Sequence, residues 1–160
     1  LLGKYSMQIT EQSFTISEDL AEKITALAQE LQGIECHNKG GWQGNFGADS
    51  PQWAHELVAD LNSQFEDYTI HGLWFNINGP GHSNRMHRHY VNSMTGVLYV
   101  QVPQDSGHVV FQQGQERVCM LPKPGTLLTF PGDIMHGVDV NLSSDQRITV
   151  AFNLVTKKAP

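Results

Sequence analysis

"PGTLLTFPGDIMHGVDVNLSSDQRITVAFNLV", residues 124–155, holds three short apolar runs, 126–130, 135–140 and 146–155. A Pro-Gly turn and a polar Asn-Leu-Ser-Ser-Asp connection separate them. Runs of this length between such breakers read as β-strands joined by tight turns. The last run has the clearest pattern. Arg147, Thr149, Ala151 and Asn153 share one face, and Ile148, Val150, Phe152 and Leu154 share the other. One face is made for an apolar core. The other carries an arginine and a threonine among small residues.

Working back from this stretch, the same texture extends to Tyr68. Five further candidate strands, 69–78, 85–90, 94–103, 108–112 and 117–121, bring the total to eight. Eight short strands at this spacing predict a sandwich or barrel, and most simply a jelly roll, also called a double-stranded β-helix. Ahead of Tyr68 the period changes. In 17–33, Leu20, Ile24, Leu27 and Leu31 recur at four, three and four, which predicts a helix capped by Ser17 and ended by Gly33. In 50–68, Trp53, Leu57, Leu61 and Phe65 recur every four, with Ser50 as N-cap and Pro51 at the first helical position. The Gly- and Asn-rich 36–49 reads as a loop. The expected fold is therefore α+β and mainly β. It is one domain over 1–160, in which a helical part, 7–68, buttresses a double-stranded β-helix core, 69–155. Residues 1–6, ahead of Met7, are left out of the fold reading.

Composition narrows the function. The chain is 39% hydrophobic and 16% charged, ordinary for a globular protein. A net charge of −6 argues against a partner held by its nucleic-acid backbone, since that needs clustered Lys and Arg. No apolar run approaches the length of a membrane span, and no signal-peptide pattern opens the sequence. Cys36 and Cys119 form no CxxC pair, and two free thiols fit a reducing cytoplasm. Oligomeric state leaves no mark in the sequence.

Eight histidines matter only where they converge. His87 and His89, in "HRHYVNSMTGVLYVQVP" (87–103), stand two apart at a strand end, so both side chains face the same way. An isolated HxH is more often a pair of surface residues or satisfied polar side chains than a metal grip. His136 changes that balance, because a jelly roll can lay its strand beside the HxH strand. Three ligands on one face with open positions opposite is the arrangement of mononuclear iron oxygenases. Arg147 follows eleven residues after His136. Its bland reading is a solvent-facing edge-strand arginine. Facing inward it requires an anion, which its planar fork holds bidentately with help from the Thr149 hydroxyl.

Together these segments resemble the 2-oxoglutarate- and Fe(II)-dependent oxygenases, in particular a bacterial and phage branch with a prolyl-hydroxylase-like fold. The resemblance runs from about Trp74 to Asn153. Residues 87–103 look like that branch's HxHPNSxxSGVYYVxxP, 124–141 like its PGxLLxFPSWLxHxVxPN, and "RITVAFN" (147–153) like its RISISFN. The resemblance implies an enzyme that uses Fe(II), 2-oxoglutarate as co-substrate and O2. It implies iron on His87, His89 and His136. It also implies the distal carboxylate of 2-oxoglutarate on Arg147, with Thr149 assisting and Tyr99 and Asn76 as further contacts. The substrate would be a small molecule or a peptidyl group, prolyl by analogy. Two departures stand out. His89 occupies the position where most of the superfamily has Asp or Glu, and Tyr90 replaces the branch's usual proline.

Two other readings remain open at this point. "GHSNRMHRH" (81–89) followed by Gly125, Pro131, His136 and Asn141 fits much of a three-histidine cupin dioxygenase that uses no 2-oxoglutarate. That pattern wants a glutamate where Ser93 and Met94 stand, and it gives Arg147 no task. A non-enzymatic binding module on the same fold would make the histidines structural. The Gly-rich loop around Trp42 and residues 79–86 are expected to cover the barrel mouth.

Overall fold

The computed structural model describes residues 7–89 and 93–157. Residues 1–6 and Tyr90 lie outside them. Along the chain run β1 (Thr10–Ser13), α1 (Leu20–Glu30), β2 (Asn38–Lys39), β3 (Trp42–Asn45), α2 (Gln52–Asn62) and β4 (Tyr68–Asn78). Then follow β5 (Ser83–His87), β6 (Met94–Gln101), β7 (Val109–Gln113), β8 (Glu116–Met120), β9 (Thr126–Pro131), β10 (Met135–Val138) and β11 (Arg147–Thr156).

Two antiparallel sheets form, one of six strands in the order β1-β9-β6-β11-β4-β3 and one of five in the order β2-β5-β10-β7-β8. This is the expected jelly roll. Period-2 alternation on the central strands separates two environments. Ile148, Val150, Phe152 and Leu154 of β11 join Leu73, Phe75 and Ile77 of β4 and Leu98 of β6 in a core that also takes Leu20 and Ile24 of α1 and Ala54, Leu57 and Leu61 of α2. A second core, between the sheets, joins Leu128 and Phe130 of β9 to Val109 and Phe111 of β7 and Val118 of β8. The six-stranded sheet is thus the middle of three layers, with helices outside and the second sheet inside. Gly96 marks how tight the outer packing is. It pairs with Phe152 across β6 and β11, and a Cβ there would lie 2.3 Å from the Phe152 ring.

The eight strands expected after Tyr68 are all present, with ends displaced by a few residues. The segment 7–68, expected to be helical, is mixed. It contains both helices and three strands. The loop expected at 36–49 supplies β2, which pairs with β5, and β3, which pairs with β4. β1, "TEQS", is exposed throughout and carries no apolar residue to announce it. α1 stops at Glu30, short of Gly33, because Leu31 is already extended (φ −111°, ψ 126°). The Leu31 carbonyl accepts a 3.0 Å bond from the Trp42 indole N–H. A Cβ at Gly33 would sit 2.6 Å from the same indole, so that glycine makes room for Trp42 rather than capping the helix. Asp19 and Pro51, not Ser17 and Ser50, occupy the N-cap positions, without side-chain cap bonds. Of the segments expected to cover the barrel mouth, 42–45 is strand β3, with Trp42 paired to Ile77, and 83–86 belongs to β5, while 79–82 connects β4 to β5.

Candidate active site

The inner faces of the two sheets enclose a cavity of about 360 Å³. One wall is the odd face of β11, where Arg147, Thr149, Ala151 and Asn153 point inward as their alternation predicts. Across the same wall Thr149 stands in register with Asn76 of β4 and Tyr99 of β6. The Asn76 amide donates to the Thr149 hydroxyl at 3.5 Å. The opposite wall brings three histidines together. His87 and His136 are direct cross-strand partners on β5 and β10, and the His89 N–H is bound to the Gly132 carbonyl at 2.6 Å. Ring centroids of His87 and His136 are 4.3 Å apart, and each lies 5.2 Å from His89. One nitrogen from each falls within 4.8 Å of the others.

Two of these rings are oriented in the same way. The Nδ1 of His87 bonds the Arg85 carbonyl at 2.7 Å, and the Nδ1 of His136 bonds the Ile134 carbonyl at 2.9 Å. Since a carbonyl only accepts, each Nδ1 carries the proton and each Nε2 keeps its lone pair free, the usual arrangement for a ligating imidazole. The Nε2 of His89 is buried without a hydrogen-bond partner. Burial pushes all three pKa values down, that of His87 to about 4 and that of His136 to about 3, so the rings are neutral near pH 7. Three neutral imidazoles with lone pairs on one cavity wall match the donor set that suits a divalent iron.

Arg147 is 3% exposed, and its Nε and Nη2 have no partner. Its contact within the wall is Tyr99, over whose ring the guanidinium carbon lies, 5.4 Å from the centroid. Burial raises the Tyr99 pKa to about 12, so the phenol is neutral and offers Arg147 no charge. A buried cation left this way lacks an anion, and a carboxylate is what its unused fork fits. Every residue singled out from the sequence, His87, His89, His136, Arg147, Thr149, Tyr99 and Asn76, lines this one cavity. Others went unnoticed. His37 stacks flat on His87, with centroids 3.9 Å apart and planes 6° apart. Trp74 and Asn78 flank Asn76 on the inward face of β4, and Thr95 stands opposite Asn153. Period 2 from Asn76 would have found Trp74 and Asn78. Nothing local to His37 signals its position.

A family profile described as "Putative 2OG-Fe(II) oxygenase" matches residues 72–121 and 111–153, together just over half of the chain. The chain belongs to this oxygenase family. Its cofactors are Fe(II), 2-oxoglutarate and O2, and membership decides for the oxygenase over the cupin without 2-oxoglutarate and the inert module. No curated protein matches the sequence. Among solved structures, the oxygenase resembles a Pseudomonas putida prolyl-4-hydroxylase (16% identity, TM-score 0.69, covering 96% of this chain and 95% of that one). It also resembles HygX of Streptomyces hygroscopicus, solved with nickel and 2-oxoglutarate bound (11% identity, TM-score 0.71, 95% and 84%). A third is a Trichoplax adhaerens prolyl hydroxylase in complex with a hypoxia inducible factor peptide fragment (14% identity, TM-score 0.68, 94% and 84%). At these identities the likeness is one of fold. Among the described residues no helix is long and apolar enough to cross a membrane.

Proposed function

We propose that this oxygenase is a hydroxylase, a single domain in which His87, His89 and His136 hold the iron and Arg147 holds the distal carboxylate of 2-oxoglutarate. One observation carries the reading: a buried guanidinium with two unpartnered nitrogens shares a cavity with three neutral imidazoles whose free nitrogens converge. A cation at one end and a metal site on the other wall fit an α-keto diacid, anchored by one end and chelated by the other.

In this scheme the iron supplies oxygen activation, coupled to decarboxylation of 2-oxoglutarate to succinate and carbon dioxide. The protein does the rest. Arg147, with the Tyr99 and Thr149 hydroxyls and the Asn76 amide, fixes the co-substrate in one orientation. The carbonyls of Arg85 and Ile134 hold the ligand tautomers of His87 and His136. Phe130, packed 4.8 Å from the His136 ring, helps to keep water from that side of the site. The prolyl-hydroxylase-like fold supports a peptidyl or amino-acid substrate, prolyl by analogy. The test is succinate formation with Fe(II) and 2-oxoglutarate across proline-containing peptides and free amino acids. Stimulation of succinate release by one class over the no-substrate rate is the expected result. A wild-type protein that binds no 2-oxoglutarate would sink the reading.

A further inference from the structure

The wall that carries Arg147 is longer than a five-carbon diacid. Arg147 and Asn153 lie six residues apart on the same face of β11, roughly 20 Å at the rise of an extended strand. A fully extended 2-oxoglutarate spans roughly 6 Å at ordinary carbon–carbon lengths. Beyond it the wall continues as Ala151 and Val97, a cross-strand pair, and then as Asn153 and Thr95, the next inward pair. Trp74, the partner of Ala151 on β4, closes the side, with its ring 5.9 Å from the His89 ring. This end of the cavity therefore adjoins the proposed metal site and is left free by the co-substrate.

Its chemistry is specific. Thr95 is 1% exposed, and its hydroxyl has no hydrogen-bond partner. The side-chain oxygen of Asn153, directly across the ladder, is also buried and unpartnered. Buried polar atoms are rarely left so, and such exceptions need a partner from outside the chain. Side chains directly opposite in an antiparallel pair sit about 5 Å apart at Cβ. The pair thus presents an acceptor and a hydroxyl donor side by side. No Asp, Glu or Lys is among the described residues lining the cavity, and Arg147 is at the far end. An ammonium group would find no carboxylate here and would face the positive metal site. A carboxylate would find no second cation. An amide, neutral and carrying one donor and one acceptor, matches the pair.

Resting on the oxygenase reading, we infer that Thr95 and Asn153 form the substrate-orienting subsite. Its occupant is an uncharged amide whose N–H bonds the Asn153 Oδ1 and whose carbonyl accepts from the Thr95 hydroxyl. The substrate is then a residue within a peptide rather than a free amino acid. The pair sets specificity and has no part in holding iron or 2-oxoglutarate.

The test uses four probes on one ring: N-acetylprolinamide, prolinamide, N-acetylproline and free proline. Each is titrated at millimolar concentration into anaerobic protein loaded with Fe(II) and 2-oxoglutarate, following the iron-to-ketoacid absorption band. N-acetylprolinamide is expected to shift the band and to bind at least about tenfold more tightly than the three charged probes. Asn153→Leu and Thr95→Val should each weaken it by up to roughly tenfold, the scale of one hydrogen bond, with the substrate-free band unchanged. Equal binding of all four, tighter binding of a charged probe, no binding of N-acetylprolinamide, or unaltered binding in both variants overturns the inference. If the band itself never forms, the oxygenase reading has failed instead. The same series is then read on metal-free protein by saturation-transfer NMR, with the same outcomes deciding the subsite.

Discussion

Replacing Arg147 by methionine separates what this residue does for function from what it does for the fold. In the unliganded protein the guanidinium is 3% exposed, two of its nitrogens are unpartnered, and its neighbour Tyr99 is neutral. Each unsatisfied buried donor costs about 1–3 kcal/mol. Exchanging a buried charge for a well-packed apolar side chain of similar length is commonly neutral or stabilising by about 1–4 kcal/mol. Arg147→Met is therefore expected to raise the melting temperature of metal-free protein, by roughly 2–4 °C per kcal/mol for a domain of this size. The same change should sharply reduce the response to 2-oxoglutarate. Losing one partner of a buried, hydrogen-bonded ion pair costs on the order of 2–5 kcal/mol, roughly 30-fold to several thousand-fold in affinity. Wild-type protein with iron should gain about 2.7 kcal/mol of stability at a co-substrate concentration a hundred times its dissociation constant. The variant, roughly 30-fold or more weaker, should gain about 0.9 kcal/mol at most at that concentration. Differential scanning calorimetry of both proteins, with and without 2-oxoglutarate, reads all four quantities. A variant that melts well below wild type, or one stabilised by 2-oxoglutarate as much as wild type, would falsify the account of Arg147 as an uncompensated cation waiting for an anion.

Three further outcomes follow from the site and the core. His89→Ala should weaken Fe(II) binding by at least about tenfold, the scale of losing even an outer partner of a ligand, whereas His89→Asp should retain it; calorimetric titration with Fe(II) under anaerobic conditions compares them, and equal affinities for wild type and His89→Ala would remove His89 from the ligand set. Metal-free protein should lose stability as pH falls from 6.5 toward about 3, because the unfolded chain takes up protons at its ordinary histidine pKa while buried His87 and His136 resist until about 4 and 3. Urea midpoints across that range should fall less steeply for His136→Phe, and identical slopes would mean that His136 is not held neutral. Gly96→Ala should destabilise by about 1–3 kcal/mol through overpacking on the Phe152 ring, read as a lowered melting temperature, whereas Gly47→Ala, with nothing within 4 Å of the added carbon, should shift it little.

How far the sequence could be read depended on whether a residue's neighbours along the chain share its environment. β11 is the favourable case. Its alternation separates a core face from a cavity face, and the structure places Ile148, Val150, Phe152 and Leu154 in the first and Arg147, Thr149, Ala151 and Asn153 in the second. The histidines were legible for a similar reason, since two-residue spacing at the end of a strand, where β5 stops at His87 and His89 lies just beyond it, and a turn before the next strand are local facts. β1 was not, because four exposed polar residues carry no period and pair with β9 from more than a hundred residues away. Nor were β2 and β3, whose Gly- and Asn-rich sequence marks a loop by propensity. Pairing with β5 and β4 overrides it. His37 is the extreme case. Its stacking on His87 follows from where β2 docks, and no spacing in the sequence encodes that.

The imidazole at position 89, where most of the superfamily has Asp or Glu, sets the charge of the proposed site. A carboxylate at position 89 would remove one unit of the iron's positive charge, whereas an imidazole removes none. With three neutral rings and Arg147, the cavity would hold three positive charges against the two negative charges of 2-oxoglutarate. No Asp or Glu among the described lining residues makes up the difference. The dianion is then held more strongly at both ends than in a site with a carboxylate ligand, and metal and co-substrate should bind with mutual reinforcement. The surplus charge also bears on the rest of the cavity, because low-dielectric walls transmit it to whatever lies beside His89. A cationic substrate group would be repelled there. An anionic one would compete for the metal with the 2-oxoglutarate carboxylates. A neutral group is the one kind that leaves the co-substrate's hold undisturbed, and the uncharged pair Thr95 and Asn153 lies where such a group would sit.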